Sequence, residues 1–131
     1  MKQEKNIQFC AFCLLLLSGC ANVLVAGASG GVAYTFTNVA YKTLIFPIDR
    51  VEFATHLALI KMRIKYVESE ETENGVRILA DTSELTIHIT LEKITSKSTK
   101  IRVDAAKNVV VKDQATAAAI IEETEAMLEM D

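Results

Sequence analysis

The chain contains no tryptophan, few aromatic residues of any kind, and no dense run of lysine and arginine among its 131 residues. Its formal charge is −3. Nucleic-acid binders draw affinity from counterion release by clustered cations, so that class is excluded. The length allows one modest core and leaves no room for a second domain or a two-lobed enzyme cleft. Catalytic signatures are also missing. There is no G-x-S-x-G nucleophile turn. Gly27, Gly30 and Gly31 give a G-x-x-G-G without the lysine of a phosphate-binding loop. Glu70, Glu71 and Glu73 lack the alternating acids and central glycine of a calcium loop. The two histidines, His56 and His88, fall on a helix edge and on the polar side of a strand, where they are expected to be solvated rather than metal ligands. The expectation is a protein with no catalytic residues, no cofactor and no metal.

Cysteine is nearly confined to the amino-terminal stretch. Cys10 and Cys13 form a C-x-x-C, but both lie within the apolar run Phe9 to Leu17, which follows Lys2 and Lys5. A charged start, a short apolar run and small residues after it have the three-part form of a secretory signal. The run is about half the roughly 20 residues that a membrane-spanning helix needs. Leu17-Ser18-Gly19-Cys20 resembles the lipobox of bacterial lipoproteins. That resemblance implies recognition of Leu17, Ser18 and Gly19 by a dedicated signal peptidase, a diacylglyceryl thioether on the Cys20 sulfur, and acylation of the new amine, palmitate being a usual chain. A thiolate is the nucleophile such a linkage requires. Two or more acyl chains, at about 0.8 kcal/mol per buried methylene, make anchoring stable. Ala21 follows Cys20 where an aspartate would imply retention at the inner membrane, so the resemblance implies the periplasmic face of the outer membrane. Removing Lys2, Glu4 and Lys5 with residues 1–19 leaves a charge of −4 and Cys20 as the only cysteine. No internal disulfide is then available, and stability has to come from packing.

Residues 20–34 are rich in glycine, alanine and valine and read as a lipid-anchored tether. A small α+β domain is expected over 35–131. The β-branched and aromatic residues of Thr35 to Phe46 predict a strand ended by Pro47. Asp49-Arg50-Val51-Glu52 reads as a capping box opening a helix over about 50–62, with Val51, Phe53, Ala54, Leu57, Ala58, Ile60 and Ile64 on one apolar arc. A strand over 64–69, an acidic turn ending in Asn74-Gly75, and a strand over 76–80 follow. Leu85, Ile87, Ile89 and Leu91 alternate with Thr86, His88, Thr90 and Glu92, the clearest half-buried strand of the chain. After a turn at 95–99, Ile101, Val103 and Ala105 alternate with Arg102 and Asp104. Asp113 can cap a last helix over 114–129, with Ala117, Ile120, Ile121, Thr124, Met127 and Leu128 as its stripe and Glu122, Glu125 and Glu129 on the wet side.

The order is strand, helix, four-stranded antiparallel meander, helix: a two-layer α+β sandwich with both helices on the apolar face. In element order it resembles helix-grip and TATA-binding-protein-like modules, a likeness of topology alone. Residues 34–131 also resemble a family of short bacterial lipoproteins whose domain has no assigned biochemical role. That likeness rests on Pro47-x-Asp49 before a helix, the Gly75 turn, the Leu85 to Leu91 strand with the turn after it, and the closing amphipathic helix.

The expected function is therefore that of a membrane-anchored envelope lipoprotein acting as a non-catalytic binding or structural module for an envelope protein or cell-wall partner. One surface for this is the outer face of the meander, carrying Thr86, His88, Thr90, Glu92, Lys100, Arg102 and Asp104. A basic strip of Lys93, Lys97, Lys100 and Arg102 is a weaker one. An alternative is a carrier holding an apolar or lipid ligand between helices and sheet, in a groove lined by Phe53, Leu57, Ile87 and Ile120. A closed interior with an exposed apolar patch instead favours protein docking. A small periplasmic enzyme is the remaining alternative.

Overall fold

Residues 31–34, 39–108 and 111–130 are those described by the computed structural model. Leu17, Ser18, Gly19, Cys20, the C-x-x-C and the stretch to Gly30 lie outside them, as do residues 35–38 of the expected first strand and Val109-Val110. The alternation that predicts the meander is present in three dimensions. Four strands, β3 (Lys65–Thr72), β4 (Gly75–Asp81), β5 (Thr86–Thr95) and β6 (Ser98–Ala106), pair antiparallel in succession. They extend a sheet begun by β1 (Ala33–Tyr34) and β2 (Ala40–Leu44), in the order β1-β2-β6-β5-β4-β3. Ala33 and Tyr34, placed in the tether by composition, pair with Tyr41 and Ala40.

Helices α1 (Ile48–Lys61) and α2 (Gln114–Glu129) cover one face. They run antiparallel: Lys61 meets Glu123 at one end, while Asp49 and Arg50 share a groove with Met130 at the other. Helix α2 lies on β6 and β2, and α1 packs on α2 and reaches β5, β6 and β3. Ile78, Ile87, Ile89, Leu91, Ile101 and Val103 of the sheet meet Val51, Leu59, Ile120 and Ile121 of the helices in one closed core. Buried Thr55 and Thr124 each donate a hydroxyl to the carbonyl four residues back, and Thr99 donates to the Phe46 carbonyl. Among the described residues no buried side-chain nitrogen or oxygen lacks a partner. These are the conditions for a specified interior.

The amino-terminal end of α1 differs from the local expectation, whereas the carboxyl-terminal end, with Met62 as C-cap, falls where it was expected. Pro47, not Asp49, is the N-cap: its carbonyl accepts the N–H groups of Arg50 and Val51 at 3.1 Å, and no side chain caps the helix. Pro47 starts the helix two residues too early for the Asp49–Glu52 box to form, leaving Asp49 inside the first turn. At the other end Arg63 is left-handed, with φ 59°. Arg63 N–H reaches the Ile60 carbonyl at 3.1 Å and Ile64 N–H the Leu59 carbonyl at 2.9 Å, a Schellman closure with Ile64 and Leu59 both buried. Helix α2 follows its signal, with the Asp113 carboxylate accepting the Thr116 N–H at 2.9 Å. Glu125, expected in solvent, is half-buried and paired with Lys42 of β2 at 2.5 Å.

The hairpin β3–β4 is tighter than the acidic turn expected from 70–75. Glu70 and Glu71 belong to β3, Thr72 pairs with Gly75, and only Glu73-Asn74 turn. Neither has positive φ, so the Asn-Gly pair does not form a primed turn. β3 is exposed along almost its whole length. Helices are about 10 Å wide and strands about 4.8 Å apart, so two helices cover about four strands and an edge strand stays bare.

Candidate binding surface

Helix α1 is apolar on more than one side. Its core face is Val51, Ala54, Thr55, Ala58 and Leu59. At 100° per residue Phe53, Leu57 and Ile60 fall on the opposite side. Phe53 is 63% exposed and Ile60 73% exposed, with Leu57 at 37%. The single apolar arc expected from the sequence is thus divided, because α2 and the sheet lie to one side of the helix. The spacing of four and three among Phe53, Leu57 and Ile60 is that of a helix-packing seam.

Beside the seam, Phe53 and Leu57 of α1, Met127 of α2 and Met130, the residue that caps α2, line an open apolar groove of about 380 Å³, whose rim includes Asp49 and Arg50. Arg50 stacks over the Phe46 ring at 5.1 Å. This groove is not the one expected between helices and sheet: Ile87 and Ile120 are fully buried in the closed core and line no part of it.

The amino-terminal end of α1 opens onto a second hollow. Asp49 and Glu52 there meet Glu71 and Glu73 of the β3–β4 hairpin, with Lys93 as the one cation among the lining residues. At the carboxyl-terminal end the charge reverses. Lys61, Arg63 and Lys65 follow one another and all three are exposed, Lys61 pairing with Glu123 at 2.6 Å. His56 lies between the two ends, its ring 5.0 Å from that of Tyr66 on β3.

The sheet's outer face holds the polar residues assigned to it. Thr86, His88 and Thr90 alternate with the buried Ile87, Ile89 and Leu91. His88 stands opposite Asp104 in the register, and both Asp104 carboxylate oxygens accept from Lys112 Nζ, at 2.8 and 2.9 Å. His56 is on the helix side of the sheet and His88 on the other, so they do not converge. Among the described residues no group of three or more His, Cys, Asp or Glu side chains is arranged to hold a metal. The expected basic strip is divided in the same way. Lys93 lines the acidic hollow beneath α1, whereas Lys100 lies over the Tyr41 ring at 4.9 Å.

The family described as protein of unknown function (DUF3568) has a model that matches residues 5–126. The chain belongs to the DUF3568 family. The match takes in all six strands and the whole of α1, including the exposed seam, and ends inside α2 before Met127. Membership in DUF3568 agrees with the expected family of unassigned role and supplies no activity. No curated protein matches this DUF3568 chain.

Proposed function

We propose that this chain is a lipid-anchored envelope lipoprotein, held through Cys20 at the periplasmic face of the outer membrane, whose α+β domain is a non-catalytic module that docks a protein partner. The observation that supports docking is the exposed seam Phe53, Leu57 and Ile60 on a domain whose interior is otherwise closed. Exposed aromatic and aliphatic side chains in a row on a helix are the usual mark of an interaction site. A catalytic role has nothing comparable to build on. His56 is engaged with Tyr66, and the carboxylate opposite His88 is taken by Lys112.

The anchor rests on Leu17-Ser18-Gly19-Cys20 and on the energy of buried acyl chains. Labelled palmitate tests it: the full chain incorporates label and fractionates with outer membrane, and Cys20→Ser does neither. Label retained in Cys20→Ser, or absent from the parent, overturns the anchor.

A second reading is favoured by the volume of the open groove, which falls within the range of small-ligand sites. An apolar ligand there would touch Met127 and Leu57 but keep one side in water. A fluorescent fatty acid separates the two. Saturable binding lost in Met127→Glu supports a carrier, and docking predicts none.

A further inference from the structure

The seam on α1 has a particular charge layout. Acidic residues outnumber basic ones at the amino-terminal end, where Asp49, Glu52, Glu71 and Glu73 line one hollow with a single lysine and Arg50 is turned over the Phe46 ring. Basic residues gather at the other end, where Arg63 and Lys65 are exposed beside Lys61, which is paired with Glu123. Between them lie Phe53, Leu57 and Ile60, all exposed. Such a surface, turned by a two-fold axis through the middle of α1, is complementary to itself. Phe53 then meets Ile60 of the second copy, Leu57 meets Leu57, and the acidic end meets the basic end. Isologous pairing requires this kind of self-complementarity.

We infer that the docking surface of α1 takes a second copy of this chain, in antiparallel α1–α1 packing. The inference rests on the reading of the seam as a docking face and names its occupant. An anionic lipid surface fits less well, because the acidic hollow lies at one end of the seam. A partner of one charge sign matches one end and opposes the other, while a second copy matches both. Three seam residues are small beside the roughly 800 Å² per partner that a stable complex buries. The pairing is therefore weak in dilute solution and strengthened where copies are confined to one surface, which raises their effective concentration.

The test uses full chains in membranes, two differently tagged forms being co-expressed. Phe53→Cys in one form and Ile60→Cys in the other should give a mixed disulfide on mild oxidation, and Leu57→Cys should give a disulfide with itself, each well above the parent chain with its native cysteines. Arg102→Cys, on the outer face of the sheet, should stay at the parent level. Asp49→Lys with Glu52→Lys in both forms should lower the mixed disulfide about tenfold, equivalent to about 1.4 kcal/mol. Carrying that pair in one form and Arg63→Glu with Lys65→Glu in the other should restore it. Failure of Leu57→Cys to crosslink above the parent, or no restoration by the charge exchange, overturns the second copy. A photo-crosslinker at position 60 separates this from the broader reading. An adduct with a different polypeptide rejects the second copy and keeps the docking face, and absence of any protein adduct rejects both.

Discussion

Gly75 and Leu91 are held against each other by the pairing of β4 with β5. A Cβ built on Gly75 stands 1.8 Å from the Leu91 carbonyl oxygen and 2.9 Å from its carbon. The obstacle is backbone in a central strand, which cannot turn aside as a side chain would. Lys93 N–H also bonds to the Asn74 carbonyl at 2.8 Å, tying the hairpin tip to β5. Gly75→Ala should therefore cost about 1–3 kcal/mol by overpacking, read as a lower midpoint in denaturant unfolding. An unchanged midpoint would show that this close approach does not exist in solution.

The opposite sign is expected at Arg63. Its left-handed φ of 59° carries a steric cost that glycine does not pay, in a closure where glycine is the commonest residue. Arg63→Gly should raise stability by about 0.5–1 kcal/mol. Thermal unfolding of the variant beside the parent measures it, and a fall in Tm would mean that α1 closes in some other way.

Two aspartates that look alike in sequence should behave differently. Asp113 accepts the Thr116 N–H, so Asp113→Ala should cost about 0.5–2 kcal/mol. Asp49 caps nothing, and Asp49→Ala should change stability by no more than about 0.5 kcal/mol. Equal losses in chemical denaturation would restore the capping box.

Core and seam are separated by a further pair. Ile89 is fully buried, and Ile89→Asp puts a charge where no partner exists, costing several kcal/mol and the cooperative transition with it. Phe53→Ser removes an exposed ring and should leave the unfolding midpoint within about 0.5 kcal/mol of the parent. Circular dichroism melts decide both, and a large loss in Phe53→Ser would return that ring to the core.

Lys42 and Glu125 join β2 to α2 through a half-buried ion pair. Their coupling in a double-mutant cycle should be about 0.5–1 kcal/mol, since both side chains keep some contact with water. A coupling of zero would make the pair incidental to how α2 sits on the sheet.

Much of the fold was legible along the chain. Ile87, Ile89 and Leu91 alternate with polar residues because one side of β5 faces the core and the other faces water, and the same period carries β4 and β6. Asp113 announced α2 through a contact three residues away. The candidate binding surface was less legible. Phe53, Leu57 and Ile60 read as core because they are apolar and lie on a helix, and the arc drawn through them was wide enough to take in both sides. The one local signal for their exposure was that Ala54, Thr55, Ala58 and Leu59 form a second, narrower stripe with Val51.

Residue order and period were enough to settle what most segments of the meander and both helices become, since turning, alternation and capping act over a few neighbours, but not Ala33–Tyr34 or the start of α1. They also settled that the helices share one side of the sheet, because only that side of the meander is apolar. Which apolar residues of α1 are left in water depended on long-range packing. The position of α2, some 60 residues away in sequence, determines which face of α1 is covered, and a six-stranded sheet exceeds the width of two helices. Burial is a property of what lies opposite a side chain, and the amino-acid order alone does not specify that neighbour.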